Sequence, residues 1–222
     1  MSESAIIPGA DPADRPSLHL APGGHRRAVA GHPWIFSNEI RMDAAAKALA
    51  PGTLVRLVAE HGEAIGTAYF NPHTLIAARL LTRAPEARID AAFLAERLRH
   101  ALDLRERLLP APFYRLVHAE ADGLPGLVID RYGDAMVMQA NTAGMELLTP
   151  LLLEALDAVL APKAVLLRND SPARGLEGLP QEVRWAKGGF EQPVHVIENG
   201  ARFPVELGHG RVRGGELGTV CK

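Results

Sequence analysis

Residues 118–134 read H-A-E-A-D-G-L-P-G-L-V-I-D-R-Y-G-D, and this stretch decides the fold of the middle of the chain. Its Asp-Gly and Pro-Gly pairs predict a tight turn, because glycine accepts positive φ and proline presets the φ that turns use. A strand over 127–130 should follow the turn. The Tyr-Gly-Asp triplet around Gly133 then predicts a reversal into a second strand over 135–140. The stretch therefore predicts a β-hairpin.

The same stretch carries four carboxylates that invite a chemical interpretation: Glu120, Asp122, Asp130 and Asp134. Their spacing matches no metal-binding loop, and turns select aspartate for local hydrogen bonds. His118 has no Cys, Ser or carboxylate partner at a diagnostic spacing. We interpret these residues as structural, and we expect no catalytic residue and no metal site.

Composition narrows the function classes. The 222 residues are 47% hydrophobic and 23% charged, which allows one or two folded domains. A net charge of -2 gives no global attraction to nucleic acid or acidic lipid, so any RNA contact needs a local patch. The single cysteine, Cys221, excludes an internal disulfide. Without an apolar span of about 18 residues, we expect a cytoplasmic protein with no membrane partner.

Turn signals and periodicity predict an α+β chain. Residues 1–16 contain three prolines and are expected to form a loose tail. Residues 17–86 predict a small β-barrel, because short apolar runs are separated by turn residues. The strands are expected at 53–59, 64–70 and 74–81, with turns at Glu60-His61-Gly62-Glu63 and Asn71-Pro72-His73.

A change of period predicts a linker helix within 87–110, with Asp90 as N-cap and Pro110 as the stop. Residues 111–207 predict a mixed α/β domain. It should hold a helix at about 145–160, with Thr149-Pro150 as an alternative start, and a strand at 163–168. Asn199-Gly200 predicts a hairpin between strands at 195–198 and 201–207.

The strongest candidates for RNA contact lie in a glycine-rich segment before the first long strand. His25, Arg26, Arg27 and His32 could hold phosphate groups. The two nearby aromatic residues, Trp34 and Phe36, could stack on bases, but aromatic side chains mostly serve burial. We expect both rings to lie in the barrel core.

A second glycine-rich segment, 208–218, superficially suggests a phosphate-binding loop. Such a loop needs a helix directly behind it. Only residues 219–222 follow, so we interpret the pattern as coincidental.

Several of these segments together resemble one family. They are P-G-G-H-R-R at 22–27, H-P-W-I-F-S at 32–37, Asn71-Pro72-His73 with 77–81, and the E-A-D-G-L-P-G-L-V-I-D-R-Y-G-D run at 120–134. Over 17–206 the chain resembles the class I SAM-dependent 23S rRNA methyltransferases of the large-subunit methyltransferase I type, which make 5-methylcytosine. The resemblance implies an RNA-binding PUA domain, a central α/β domain for substrate recognition, and a C-terminal Rossmann-like domain that binds SAM and carries the catalytic cysteine.

The resemblance stops abruptly. The family hairpin is kept at Glu198-Asn199-Gly200-Ala201-Arg202-Phe203, but 211–215 departs from the family pattern. We therefore expect a chain without the Rossmann-like SAM domain, in which 208–222 is a divergent tail left by a frameshift, a truncation or an artificial junction. No SAM-binding residue can be transferred, and we expect RNA binding to 23S rRNA, no DNA binding and no methyl transfer by this chain alone.

Two other interpretations stay open. The chain could be a free-standing PUA-type RNA-binding protein without catalytic activity, or a separate chain could supply the SAM domain. A fragment should expose apolar surface over 203–207, where the missing domain would pack. The sequence leaves the oligomeric state open, including a homodimer.

Overall fold

A computed structural model describes residues 11–189, 193–198 and 201–207. Several predictions lie outside the described residues. They concern residues 1–10 of the predicted N-terminal tail, the Asn199-Gly200 turn, and the divergent tail 208–222 with its glycine-rich segment and Cys221. The strands are β1 Ser17–His19, β2 Trp34–Ile35, β3 Thr53–Val58, β4 Ala64–Phe70, β5 Ala78–Thr82, β6 Phe113–His118, β7 Leu127–Tyr132, β8 Ala135–Ala140, β9 Ala164–Asn169, β10 Glu182–Lys187, β11 Val194–Glu198 and β12 Ala201–Val205. The helices are α1 His25–Val29, α2 Ala44–Lys47, α3 Ala91–Leu108, α4 Ala143–Leu160 and α5 Ala173–Leu176.

The first sheet has the order β1-β3-β4-β5-β2. Strand β1 runs parallel to β3, and the other neighbours are antiparallel. A bridge between Leu20 and Ile40 joins the segments that follow the two edge strands, so the sheet curls into a partly closed barrel. The sequence predicts only a β-barrel over residues 17–86. The structure differs, because the short helices α1 and α2 lie between the strands.

The turns around β4 follow local sequence chemistry. Gly62, at φ +88, lies in the β3–β4 connection and confirms the predicted turn. The turn at Asn71 is also confirmed, since its Oδ1 accepts a hydrogen bond from the His73 amide at 3.1 Å. The turn extends further than expected, however, so the strand predicted at 74–81 begins only at Ala78.

The second sheet has the order β10-β9-β8-β7-β6. Strands β7 and β8 form the hairpin that residues 118–134 predict, with Leu127 opposite Ala140. Strands β8 and β9 are parallel, and α4 forms the crossover between them. One face of the sheet packs against both long helices, as in a two-layer α/β domain.

The long helices differ in how well the sequence predicts their starts. Helix α3 begins after Asp90, whose Oδ1 accepts from the Phe93 amide at 2.9 Å and confirms the predicted cap. Helix α4 begins after Thr142, earlier than expected, and runs through Pro150. The alternative start at Thr149 is wrong, because Thr149 lies inside the helix and its hydroxyl donates to the Met145 carbonyl at 3.0 Å.

The β11–β12 hairpin covers the other face of the second sheet. Val196, Val205 and Leu207 join Val137 and Leu166 in one buried cluster. Val205 is 4% exposed and Leu207 is 7% exposed. The expected exposed apolar surface over 203–207 is therefore wrong for these two side chains, because they pack against the sheet. Among the described residues, no helix is long and apolar enough to cross a membrane.

Candidate nucleic-acid interface

The four candidate RNA-binding residues lie on α1 and in the segment that follows it. Two glycines shape this region. A Cβ at Gly24 would lie 2.4 Å from the Glu39 carbonyl oxygen, so the chain can approach that closely only with glycine. Gly31 adopts φ +106, a conformation that side chains disfavour, just after the helix ends. Ala28 is buried, which fixes α1 on the barrel with its arginines outward.

Arg27 is held at the surface by several weak contacts. Its guanidinium carbon lies 4.7 Å from the centre of the Phe36 ring. Its Nη1 is 3.9 Å from Glu39, and its Nη2 is 2.9 Å from Nε2 of His32. With 42% of its side chain exposed, Arg27 is partly ordered while it remains accessible to a phosphate.

Each nitrogen of the His32 ring lies beside a hydrogen-bond donor. Nδ1 lies 3.2 Å from the Trp34 amide, and Nε2 lies beside Arg27. A neutral imidazole accepts at only one nitrogen. His32 therefore satisfies one of these donors at a time, and in one tautomer Arg27 loses this contact.

Arg26 and His25 complete the predicted set. Arg26 is exposed, and no carboxylate in the described part of the chain pairs with it. His25 is half-buried, and its Nδ1 is buried without a hydrogen-bond partner among the described residues. The structure thus brings Arg27 and His32 into contact and places Arg26 and His25 on the same short helix.

Trp34 and Phe36 do not lie in the barrel core. Successive residues of a strand point to opposite faces, and here Ile35 is the buried one, at 1% exposure. Trp34 and Phe36 are half-buried. Trp34 instead reaches the second domain, where its Nε1 donates to Glu120 at 2.7 Å.

Three carboxylates of the 118–134 stretch form ion pairs with basic side chains of the same chain. Asp122 accepts two hydrogen bonds from Arg105, at 2.5 and 2.7 Å, and Asp130 pairs with Arg115 at 2.9 Å. Asp134 pairs with Lys163 at 2.7 Å, and the hydrogen bond from Lys163 lowers the Asp134 pKa. The described residues contain no group of three or more His, Cys, Asp or Glu side chains that could hold a metal ion.

Polar contacts that the sequence does not predict join the two domains. Glu177 accepts from Arg79 at 2.7 Å and from Asn71 Nδ2 at 2.9 Å. Tyr69 is 1% exposed, its hydroxyl donates to the Pro125 carbonyl at 2.8 Å, and Thr142 Oγ1 donates to it at 3.0 Å. No local pattern could have indicated these pairs, because their members lie far apart in sequence.

The carboxyl ends of the parallel strands β8 and β9 are the usual ligand position in an α/β sheet. Here they are filled by the chain's own side chains. Arg174 is fully buried; it donates to the Ala140 carbonyl and pairs with Glu146 at 2.8 Å. Glu177 accepts from the Ala143 amide at 3.4 Å, at the start of α4. This edge lacks the open glycine-rich turn that a SAM pocket needs, so the described residues there do not fit SAM.

The class of the N-terminal unit follows from its fold and its sequence. A family model described as a PUA-like domain matches residues 18–83, which span the strands of the first sheet and α1. The chain therefore combines a PUA-like domain with a mixed α/β domain.

Similar proteins extend this comparison over most of the chain. The chain is 37% identical over 204 residues to ribosomal RNA large subunit methyltransferase I of Aliivibrio fischeri, covering 89% of this chain and 50% of that protein. The enzymes of the same name from Shewanella frigidimarina and Cronobacter sakazakii are 36% and 34% identical, with the same coverage. The chain spans about half the length of the curated relatives it matches.

Solved structures share the fold. A candidate SAM-dependent methyltransferase from Streptococcus mutans superposes with a TM-score of 0.71 at 16% identity, over 88% of this chain and 49% of that one. A candidate methyltransferase in complex with SAH matches with the same TM-score and coverage.

Proposed function

We propose that this chain recognises RNA for a SAM-dependent rRNA methyltransferase that forms 5-methylcytosine in 23S rRNA. The observation that carries the proposal is the 37% identity, over 89% of the chain, to an enzyme named ribosomal RNA large subunit methyltransferase I. The PUA-like match and the arginines on α1 support it, because an RNA surface needs accessible cations in a chain of net charge -2.

Binding to 23S rRNA tests the recognition role. We expect the 222-residue chain to bind a 23S rRNA transcript with an affinity that falls steeply with salt, and to bind a DNA duplex of equal length more weakly. Arg26→Gln with Arg27→Gln should weaken RNA binding and reduce the salt slope. Arg99→Gln is the matched control, since Arg99 is an exposed arginine on α3 without a described ion pair. Equal affinities for all three proteins would contradict the role of α1.

The histidines contribute differently in this proposal. His32 positions Arg27, while His25 lies half-buried on the same helix as Arg26 and Arg27, with its Nδ1 buried. His32→Ala should therefore reduce RNA affinity less than the double arginine change. An effect of equal size would instead indicate direct contact with RNA.

We also propose that methyl transfer needs residues other than those that the structure describes. The carboxyl edge of β8 and β9 supports this, because Arg174 and Glu177 occupy the position where an α/β sheet usually binds its ligand. In calorimetric titration of the 222-residue chain with SAM we expect no binding. Tight SAM binding would overturn this part of the proposal and leave RNA recognition intact.

A free-standing PUA-type RNA-binding protein is the alternative function. It predicts the same RNA binding but no link to methylation. Mass spectrometry of 23S rRNA from cells with and without the gene distinguishes the two functions. Only the role in methylation predicts that a 5-methylcytosine disappears from the rRNA when the gene is absent.

A further inference from the structure

Arg83 extends the candidate RNA surface from a distant part of the sequence. It follows β5, is exposed, and lies on the C-terminal end of α1. Its Nη2 is 3.4 Å from the Ala28 carbonyl oxygen and 3.2 Å from that of Val29. A Cβ at Gly31 would lie 3.3 Å from the same Nη2, so the guanidinium sits closely over the end of the helix.

This position orders Arg83 without neutralising it. Backbone carbonyls at a helix C-terminus attract a cation but carry no full charge. No carboxylate in the described residues lies within ion-pair distance of Arg83. The positive charge of Arg83 therefore stays available to a ligand, and the planar fork is partly immobilised in advance.

Arg83 also concentrates charge around α1. Arg26 and Arg27 lie on this helix, and Arg83 lies on its end. Only Glu39 opposes them among the described ion pairs, at 3.9 Å from Arg27. Three arginines against one loosely placed carboxylate give a local positive patch, although the chain as a whole carries a net charge of -2.

We propose that Arg83 contacts an RNA phosphate as part of one surface with Arg26 and Arg27. The inference rests on the proposed RNA-recognition function and adds a residue to it. Backbone carbonyl groups hold the guanidinium, and no carboxylate in the described residues neutralises it. Such a group is suited to the negatively charged phosphate backbone, whose contacts position the protein without reading the base sequence. Arg83 should then affect affinity similarly for RNAs of different sequence.

The test is the salt dependence of binding to 23S rRNA. Arg83→Gln removes the charge but keeps an amide group that can donate to the end of α1. We expect affinity to fall about three- to tenfold near 0.1 M salt and the salt slope to drop by about 0.7 to 0.9, the value for one lost phosphate contact. Arg83→Lys should restore most of the slope, and the control Arg99→Gln should change neither quantity.

The outcomes separate this proposal from the function it rests on. If Arg83→Gln lowers affinity but leaves the slope unchanged, Arg83 only supports α1 and the proposal fails. If Arg26→Gln weakens binding while Arg83→Gln matches the control, Arg83 lies outside the RNA surface. If no variant weakens binding and the wild-type chain does not bind 23S rRNA, the proposed function fails. Circular dichroism of each variant confirms that the fold is kept.

Discussion

At the residue scale, Gly24 decides whether α1 can sit on the barrel. A Cβ at this position would lie 2.4 Å from the Glu39 carbonyl oxygen and 3.1 Å from that of Ala21. Both contacts are with backbone, which cannot rotate away. We expect Gly24→Ala to destabilise the protein by about 1–3 kcal/mol, the usual cost of overpacking, and to weaken RNA binding by displacing α1. Urea unfolding and RNA titration measure the two effects.

Gly175 provides the matched control. It lies in α5, and nothing would lie within 4 Å of an added Cβ. Gly175→Ala should leave RNA binding unchanged and stability equal or slightly raised, because alanine favours helix. If Gly24→Ala behaved like this control, the backbone approach at Glu39 would not constrain α1.

Asp134 gives a prediction about pH. The hydrogen bond from Lys163, and then its charge, hold the pKa of this exposed carboxyl below its ordinary value. A lowered folded-state pKa stabilises the protein above the unfolded-state pKa, and that contribution is lost as the pH falls through the folded-state pKa. Lys163→Gln should raise the Asp134 midpoint in a carboxyl NMR titration. Lys187→Gln, which removes the pair with Asp157 instead, should leave that midpoint in place.

At the element scale, the start of α4 is where the second domain meets the barrel. The N-cap Thr142 accepts from the Met145 amide and donates to the Tyr69 hydroxyl. A Cβ at Gly144 would lie 2.2 Å from the Tyr69 ring, so the helix backbone lies directly on that ring. Burial raises the pKa of Tyr69, which keeps its hydroxyl protonated and able to donate to Pro125.

A double-mutant cycle tests this coupling between cap and tyrosine. Thr142→Val should cost about 1 kcal/mol through the lost cap, and more where a buried partner is left unsatisfied. Tyr69→Phe should cost about 1 kcal/mol through the hydrogen bond to Pro125. Because both changes remove the Thr142–Tyr69 bond, the double mutant should cost less than the sum. Strict additivity in urea unfolding would contradict a shared contact.

Local sequence predicts elements wherever the deciding chemistry is local. The turn residues of 118–134 fix the β7–β8 hairpin, and Asp90 fixes the start of α3. The start of α4 is misjudged because Pro150 suggests a first turn. Buried contacts at Leu148 and Leu152 hold the helix together through that proline.

Local sequence predicts only some of the residues of the candidate site. Arg26 and Arg27 are visible as an arginine pair in a glycine-rich segment, whereas Arg83 lies 55 residues from Ala28 and carries no local signal. The alternation of β2 could have placed Ile35 inside and both aromatic residues outside. A strand of two residues is too short for that alternation to stand out.

At the scale of the whole molecule, buried polar contacts join the two domains beside a shared apolar cluster. The central one is Glu177, whose side chain is 4% exposed and whose partner Arg79 is 13% exposed. Its second oxygen accepts from Asn71 and from the Ala143 amide. One carboxylate therefore connects β5, the turn after β4 and the start of α4. This arrangement fixes the direction in which the α1 face of the barrel points relative to the α/β domain.

Arg79→Met should break this connection severely. It leaves the Glu177 carboxylate buried without its cation, which typically costs about 3–5 kcal/mol. The change removes a contact between the two domains. We therefore expect the wild-type chain to unfold in one calorimetric transition and the Arg79→Met variant to unfold in two. Arg79→Met with Glu177→Gln should recover part of the loss, since the second change removes the unpaired charge.

The exposed pair of Arg184 and Glu182 is the control for this experiment. Their side chains are 52% and 39% exposed, and Arg184→Gln should cost at most about 1 kcal/mol with a single transition kept. If Arg79→Met also kept a single transition and cost no more than this control, Glu177 would not hold the domains together. The apolar contacts of Leu54, Tyr69 and Leu81 with the second domain would then carry that role alone.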